Sequence, residues 1–367
     1  MVELIKHGVY LLDGQKVVED TTGMPSADEA RENTITYGIL RAHDVNGGKG
    51  KEMHIRFDAM MSHDITYVGI IQTARASGLT KFPLPYAMTN CHNSLCAVGG
   101  TINEDDHVFG LSAAKKYGGI YVPANQAVIH QFAREEMVKC GNMILGSDSH
   151  TRYGSLGNMG VGEGGGELVK QLLRNTWDIN APAVVLVWLE GTPRHGIGPH
   201  DVAISLVKAV FESGFVKNKV LEFAGPGVAN LSVDFRNGID VMTTETTCLS
   251  SIWVTDEKVR EHYELHRRPE AYKELRPGKV AYYDSMVRID LSKQESMIAL
   301  PYHPSNAVSI HELQADPETV LRRVEEDTKR RFGDKVHPDL VSKIRDGKVY
   351  ADQGIIAGCS GGTYENL

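Results

Sequence analysis

The chain has 367 residues, of which 41% are apolar and 23% are charged, and its formal net charge is −8. This balance is typical of a soluble protein with two or three packed domains and excludes an intrinsically disordered chain. A net negative charge argues against nucleic acid or an anionic membrane as the main partner. No apolar run approaches the roughly 20 residues that a membrane helix needs, and the first residues, MVELIKHGVYLLDG, lack a secretory core. We therefore expect a cytoplasmic protein that has no membrane partner.

The sequence contains five cysteines, at positions 91, 96, 140, 248 and 359. Their number is odd, and none of them belongs to a CxxC pair. We therefore predict no disulfide framework, and the cysteine spacing offers no complete ligand set for zinc or for an iron–sulfur cluster.

Apolar runs with the pattern of strands alternate along the chain with amphipathic stretches. The apolar periodicity predicts helices over 62–77, 126–139, 167–175, 200–213 and 316–332. It predicts strands within 142–149, 182–191, 219–225, 287–291 and 354–362. The last helix has the strongest start signal, with Asp316 as its N-cap and Pro317 at its first position.

This alternation predicts an α/β fold of tandem three-layer α/β/α domains with mostly parallel sheets. Candidate boundaries lie at GTPRHGIGP (191–199) and ALPYHPSN (299–306). We expect a first domain over 1–195, a second over 196–300 and the start of a third over 301–367.

The loop GSDSHT (146–151) follows a predicted strand directly. Because such loops line the ligand crevice of parallel α/β sheets, Asp148, Ser149 and His150 are candidate site residues. The alternative is a turn in which Asp148 and Ser149 satisfy their own backbone.

The segment GVGEGGGE (160–167) contains a formal GxGxxG pattern before a predicted helix. Such glycines can cradle a pyrophosphate, but Glu163 and Glu167 would repel one. The alternative is a loop that needs positive φ angles and close packing.

Further polar residues could have either a catalytic or binding role or a purely structural one. His92 follows Cys91 in a predicted loop, and His63 stands at a predicted helix start where Ser62 or Asp64 could be a cap. Other candidates are His130 on a predicted amphipathic helix, Glu245, and Cys359 in a Gly-rich turn. His130 could equally be a hydrogen-bonded core residue, and Cys359 a small buried apolar residue.

The order of these motifs is more specific than any one of them. The chain shows H-D-x-T, C-H-N, I-H-Q, G-S-D-S-H-T with a Gly-rich tail, G-P-G-V, M-T-T-E and G-C-S-G-G-T-Y-E-N. This order resembles the aconitase and isopropylmalate dehydratase superfamily. Its members carry (Q or H)-(D or E)-x-T, D-H, I-H-Q, G-T-D-S-H-T with G-x-G-G, G-P-G-V, N-M-x-x-E and G-S-C-T-N-S-x-x-E-D. The resemblance extends from about residue 55 to the last residue.

The resemblance implies an aconitase-like fold and a hydro-lyase that reversibly dehydrates, hydrates or isomerises a small hydroxy-carboxylic acid. In that family a [4Fe–4S] cluster held by three cysteines leaves one iron open as a Lewis acid. Cys359 matches the first cluster ligand, and His63 and Ser149 match polar groups on the substrate side.

The resemblance also implies catalytic roles. His92 matches the histidine that assists departure of the hydroxyl group. His130 with Asp148, and His150 with Glu245, match the family's histidine–carboxylate pairs, which orient the imidazoles and raise their basicity.

Three positions depart from the family pattern. Cys91 replaces the Asp before the active-site histidine, so we expect that the carboxylate which would keep His92 charged is missing. Val241 replaces the Asn of N-M-x-x-E, and Gly361 replaces the Asn after the first cluster cysteine. These changes indicate a divergent branch.

The family's CxxC, its substrate-binding arginines and the Ser–Arg pair that carries the base all lie downstream of the first cluster cysteine. This sequence has no such segment after Cys359. We therefore interpret it as the N-terminal portion of an aconitase-like hydratase, with the remaining C-terminal domains of the same protein as its partner. We expect a [4Fe–4S] cluster in the full-length protein, and neither a stable cluster nor activity in this chain alone.

Other functional classes stay open at this point. One is a nucleic-acid-binding or other regulatory module derived from the same fold, against which the net charge argues. The others are a nicotinamide-dependent oxidoreductase built on the Gly-rich segment and a thiol enzyme that uses Cys91 or Cys359. Citrate, isopropylmalate and related hydroxy acids are all candidate substrates.

Overall fold

The computed structural model describes residues 2–20, 22–47, 50–93 and 101–367, and two five-stranded sheets organise it. In the first sheet all neighbouring strands are parallel. Its strands, in spatial order, are Ile120–Val122, Tyr86–Thr89, Ala59–His63, Met143–Gly146 and Met159–Gly162. Around this sheet lie the helices Tyr67–Ala76, Thr101–Tyr117, Ile129–Phe132 and Gly165–Leu172.

The second sheet is parallel except at one edge, where the N-terminal strand pairs antiparallel. Its strands, in spatial order, are Val2–Ile5, Ser285–Asp290, Val184–Glu190, Val220–Ala224 and Ser250–Trp253. The predicted α/β fold with mostly parallel sheets is therefore confirmed.

Smaller strands and further helices complete the chain. The smaller strands are Val9–Leu12 between Lys16–Val18 and Val280–Tyr283, Glu52–Ile55 with Trp177–Asn180, Met297–Ala299 with Ala307–Ser309, and Ile344–Arg345 with Lys348–Val349. The further helices are Ala27–Arg31, Ile35–His43, Pro199–Val210, Val233–Met242, Glu257–Leu265, Ile310–Ala315 and Pro317–Phe332. None of the helices in the described ranges is long and apolar enough to span a membrane.

Most of the predicted elements form for the reasons that the sequence suggests. In Val184–Glu190 every residue except Glu190 is buried, as expected of a β-branched run between two parallel neighbours. The helix Pro317–Phe332 begins where it was predicted, because the side chain of Asp316 accepts a hydrogen bond from the amide of Thr319.

Three predicted elements are wrong in extent or type. Ser62 and His63 do not start a helix, because Ala59–His63 is a buried strand with a neighbour on each side, and the helix begins only at Tyr67. The helix predicted over 126–139 is a single turn, Ile129–Phe132, followed by a π-helical turn, Ala133–Met137. Residues 354–362, predicted to contain a short strand, form none.

Three clusters of buried apolar side chains form the core. The largest extends around the first sheet, a second lies against the second sheet, and a small third cluster joins Leu300, Val308, Leu313 and Val324. The second sheet takes strands from both sides of residue 195. The domain boundaries at residues 195 and 300 stay predictions.

The Gly-rich segment packs closely against the loop that begins at Asp148. Gly160 and Gly162 lie within the strand Met159–Gly162 and have negative φ angles. A Cβ atom on Gly162 would lie 2.5 Å from the carbonyl oxygen of Asp148. Close packing thus explains these glycines, and the expected positive φ angles are wrong. Because Gly160 and Gly162 are part of a strand and Gly165 begins the following helix, these three glycines do not form a phosphate-binding loop.

We predict that Gly162→Ala destabilises the protein by about 1–3 kcal/mol, because the added methyl group would overlap backbone atoms that have little room to move. Gly166→Ala is the matched control. It lies four residues away on an exposed helical turn with open space around it, so the free energy of unfolding should rise by about 0.5–1 kcal/mol. Urea unfolding of both variants measures the difference. Equal stability of the two would contradict this account of the segment.

Candidate active site

Asp148 follows the strand Met143–Gly146 and lies at the carboxyl end of the first sheet. Its loop is closed by local hydrogen bonds. The amide of His150 donates to Asp148 Oδ1 at 2.7 Å, and the hydroxyl of Thr151 donates to the Asp148 carbonyl at 2.7 Å. These bonds fix the direction in which the carboxylate points.

Four imidazoles surround this carboxylate. His130 Nε2 lies 3.1 Å from Oδ1, His150 Nδ1 lies 3.5 Å from the same oxygen, and on Oδ2 His92 Nε2 lies at 3.5 Å and His63 Nε2 at 3.7 Å. His63 ends a strand and His92 follows the next strand of the sheet. The residues converge because the carboxyl ends of parallel strands meet at one edge.

The surrounding histidines determine the charge of Asp148. Burial alone would raise its pKa, but hydrogen bonds from His130, His150 and His92 outweigh burial and hold the pKa well below its usual range. Asp148 is therefore ionised at neutral pH.

The four imidazoles divide into two protonation states at neutral pH. The pKa of His92 is raised to about 10, first by Asp148 and then by Cys91, and that of His150 to about 9, first by Asp148 and then by Glu245. Burial lowers the pKa of His63 to about 4 and also lowers the pKa of His130. Histidines with pKa values pushed apart in this way are suited to distinct acid and base roles.

His92 keeps a carboxylate partner although Cys91 replaces the family Asp. Asp148 lies 3.5 Å from its Nε2, and Cys91 Sγ lies 3.3 Å from its Nδ1. The expectation that no carboxylate would keep His92 charged is wrong, because Asp148, in the loop after another strand of the sheet, takes that place.

Asp64 contributes in a way that the sequence did not indicate. Its buried carboxylate accepts hydrogen bonds from the amides of His92 at 3.1 Å and Asn93 at 2.8 Å, and His107 Nε2 lies 3.3 Å away. Asp64 therefore holds the loop that carries His92 instead of capping a helix. Its place directly after His63, at the end of a buried strand, was the available signal.

Glu245 enters the site from the other side. It lies in a 3₁₀ turn, Thr243–Thr246, and its Oε1 is 3.4 Å from His150 Nε2. This contact lowers the pKa of Glu245. The hydroxyl of Thr244 donates to the carbonyl of Ser149 at 2.7 Å and joins the two loops.

The remaining two candidates lie at the edge of the same cleft. Ser149 is exposed, with its Oγ 3.5 Å from His150 Nδ1. Cys359 is also exposed, and its pKa is raised first by partial burial and then by the neighbouring Cys91 and Asp148. Arg134 Nη1 donates to the carbonyl of Ser360, next to Cys359. All eight candidate residues thus gather in one region, and their catalytic roles stay predictions.

The thiols of the described residues do not complete a ligand set for a [4Fe–4S] cluster. Cys91 and Cys359 are close to Asp148, whereas Cys140 and Cys248 are buried and donate to the carbonyls of Leu156 and Thr243. The other cysteine, Cys96, is outside the described residues. Two thiols are fewer than the three that an aconitase-like cluster takes.

Known proteins are similar to this chain over most of its length. A model of the aconitase family (aconitate hydratase) matches residues 37–367. The chain belongs to the aconitase family. It is 28% identical over 313 residues to the mitochondrial aconitate hydratase of Aspergillus fumigatus, covering 78% of this chain and 40% of that protein. It is 25% identical over 286 residues to the 3-isopropylmalate dehydratase large subunit 1 of Thermotoga maritima, covering 77% of this chain and 68% of that subunit.

The family match confirms the resemblance inferred from the order of the motifs. Members of the aconitase family with these names are hydro-lyases, and the chain carries their hydratase-like region. It spans about 40% of the length of the fungal aconitate hydratases that it matches.

We predict that Asp148→Asn lowers the pKa of both His92 and His150 toward an ordinary value of about 6.5, because the negative charge is lost while the shape is kept. A raised histidine pKa contributes stability that is complete below about pH 6.5 and is lost as the pH rises through about 9 to 10. The wild-type free energy of unfolding should therefore fall more steeply between about pH 7 and pH 10 than that of the variant.

Histidine-selective ¹⁵N NMR titration and urea unfolding at several pH values measure these effects. Asp178→Asn is the matched control, since it removes a carboxylate that contacts a histidine, His54, at 2.7 Å on a distant ribbon. Unchanged titration of His92 and His150 in Asp148→Asn would show that Asp148 does not set their charge.

Proposed function

We propose that this chain supplies the histidine–carboxylate part of a hydro-lyase site that removes or adds water on a small hydroxy-carboxylic acid. The observation that supports this is the contact of one ionised carboxylate, Asp148, with four imidazoles of two different protonation states. Loss of water from such an acid needs a proton donor at the departing hydroxyl group and a base at the neighbouring carbon.

His92 is the proton donor in this proposal. It is protonated at neutral pH and exposed, and Asp148 and the backbone contact of Asp64 fix its position. The pair of His150 and Glu245 orients the substrate from the opposite side, and the positive charge of His150 favours a substrate carboxylate.

His63 and Ser149 are the substrate-side polar groups of the proposal. His63 stacks against His92 with ring centroids 3.9 Å apart and is neutral at pH 7. His130 is almost fully buried and therefore acts on Asp148 and not on the substrate. The base at carbon is supplied by polypeptide beyond the described residues.

The proposal extends to a [4Fe–4S] cluster in the full-length protein, with Cys359 as one ligand and further thiolates from C-terminal domains of the same protein. The isolated chain is then inactive. A cytoplasmic location is also part of the proposal. The net charge of −8 argues against the alternative of a nucleic-acid-binding or other regulatory module.

The pH dependence of substrate binding tests the site. Citrate and 3-isopropylmalate should bind the wild-type chain up to about pH 9 and lose affinity above it, as His150 and then His92 lose their protons. In Asp148→Asn the loss should begin near about pH 6.5, the ordinary histidine value. Isothermal titration calorimetry measures this, with Asp178→Asn as the control. No binding of either acid at any pH would contradict the proposal.

Reconstitution with iron and sulfide tests the cofactor. The isolated chain should retain less than one cubane per molecule, because the described residues offer two thiols at the site. Iron and sulfide analysis with electron paramagnetic resonance of the reduced sample measures this, with a bacterial ferredoxin reconstituted in parallel. A stoichiometric cubane cluster in this chain would be evidence against the need for further polypeptide.

A further inference from the structure

His303 lies beside the site, although no sequence motif pointed to it. It stands in the loop of the hairpin formed by Met297–Ala299 and Ala307–Ser309. Backbone hydrogen bonds hold this loop. The amide of Leu300 donates to the carbonyl of Asn306 at 2.7 Å, and the amide of Asn306 donates to the carbonyl of His303 at 2.9 Å. The backbone that carries this imidazole is therefore well fixed.

The neighbours of His303 also fix its tautomer. The backbone amide of Ser305 donates to Nδ1 at 3.1 Å, and the hydroxyl of Ser305 lies 2.9 Å from the same nitrogen. A backbone amide can only donate, so Nδ1 is an acceptor without a proton. The neutral ring then carries its proton on Nε2.

This Nε2–H faces Glu245. Phe211 stacks on the imidazole, with centroids 3.8 Å apart and an interplanar angle of 24°, and holds the plane of the ring. Nε2 lies 3.9 Å from Glu245 Oε2, while the other oxygen of Glu245 faces His150 at 3.4 Å. Glu245 therefore lies between two imidazoles, one at each of its oxygens.

We propose that His303 is a positioning residue, whose Nε2–H holds one oxygen of Glu245 so that the other stays aligned with His150. This inference rests on the proposed function and names a further residue of the same site. At 3.9 Å the contact is an electrostatic one and not a hydrogen bond, so the positive end of the N–H dipole acts on the Glu245 oxygen without a bound ligand. The substrate does not contact His303 in this role.

The surroundings of His303 leave room for substitution. About a third of its side chain is exposed, and it lines a cavity of about 760 Å³ together with Lys208, Phe211 and Tyr302. A change of side chain at this position therefore alters the contact with Glu245 without opening a hole in a closed core, and variants are expected to fold.

Two substitutions separate the N–H group from the bulk of the ring. His303→Gln can place an amide N–H near the position of Nε2, whereas His303→Leu has no donor.

The titratable groups that face Glu245 are His150 and His303. Those that face His150 are Asp148, Glu245 and, behind Asp148, His130. Because Glu245 helps to keep His150 protonated, loss of its alignment lowers the pKa of His150.

Histidine-selective ¹⁵N NMR of the full chain is the test. The wild-type spectrum should show His303 with an unprotonated Nδ1, the pKa of His150 should fall below about 9 in His303→Leu, and it should stay near that value in His303→Gln. A protonated Nδ1, an unchanged pKa of His150 in His303→Leu, or an equal fall in both variants would overturn the proposal. The measurement needs no substrate, so failure of citrate to bind would count against the proposed function alone.

Discussion

The carboxylate of Asp148 is removed from most of the solvent and kept ionised by imidazoles on both of its oxygens. Burial of a carboxylate costs several kcal/mol unless charged or hydrogen-bonded partners compensate for it. His130 at 3.1 Å is the shortest of these contacts and is itself almost fully buried, so it supports the carboxylate from inside the protein. His92 and His150 complete the compensation from the solvent side and become charged as a result. The protonation pattern of the whole site follows from this one buried group.

The parallel strands and a few backbone contacts place the residues of the site. Strands that run in the same direction end at one edge, so residues distant in sequence, such as His63, His92 and Asp148, become neighbours. Asp64 then holds the amides of the His92 loop, and Gly162 lets the Asp148 loop approach the adjacent strand. Precise placement thus depends on backbone contacts as much as on the reactive side chains.

The sequence contained enough information to find most of the site but little about how it is supported. The ordered motifs located Asp148, His150 and Glu245, because side-chain types at spaced positions are visible in a sequence. The strand at His63 was mistaken for a helix start, since a short buried run has no distinctive period.

The residues that set the charge of His92 and the position of Glu245 were harder to find from the sequence. The exchange of an Asp for Cys91 suggested a lost charge, whereas the structure supplies Asp148 from the loop after another strand. His303 could not be found at all from the sequence, because its role depends on the tautomer that Ser305 imposes and on a contact across the fold.

The two sides of the site are attached to different parts of the protein. All the contacts of Asp148 with imidazoles involve residues between positions 63 and 150, whereas Glu245 and His303 come from later in the chain. The hydrogen bonds from Thr244 to Ser149 and from Ser250 to Gly160 tie these parts together. Further hydrogen bonds, from Arg152 to the carbonyl of Cys248 at 3.1 Å and from Ser155 to Asn237 at 2.6 Å, add to this connection. The pair of His150 and Glu245 therefore forms when the two stretches pack together, so this contact reports on the folding of both.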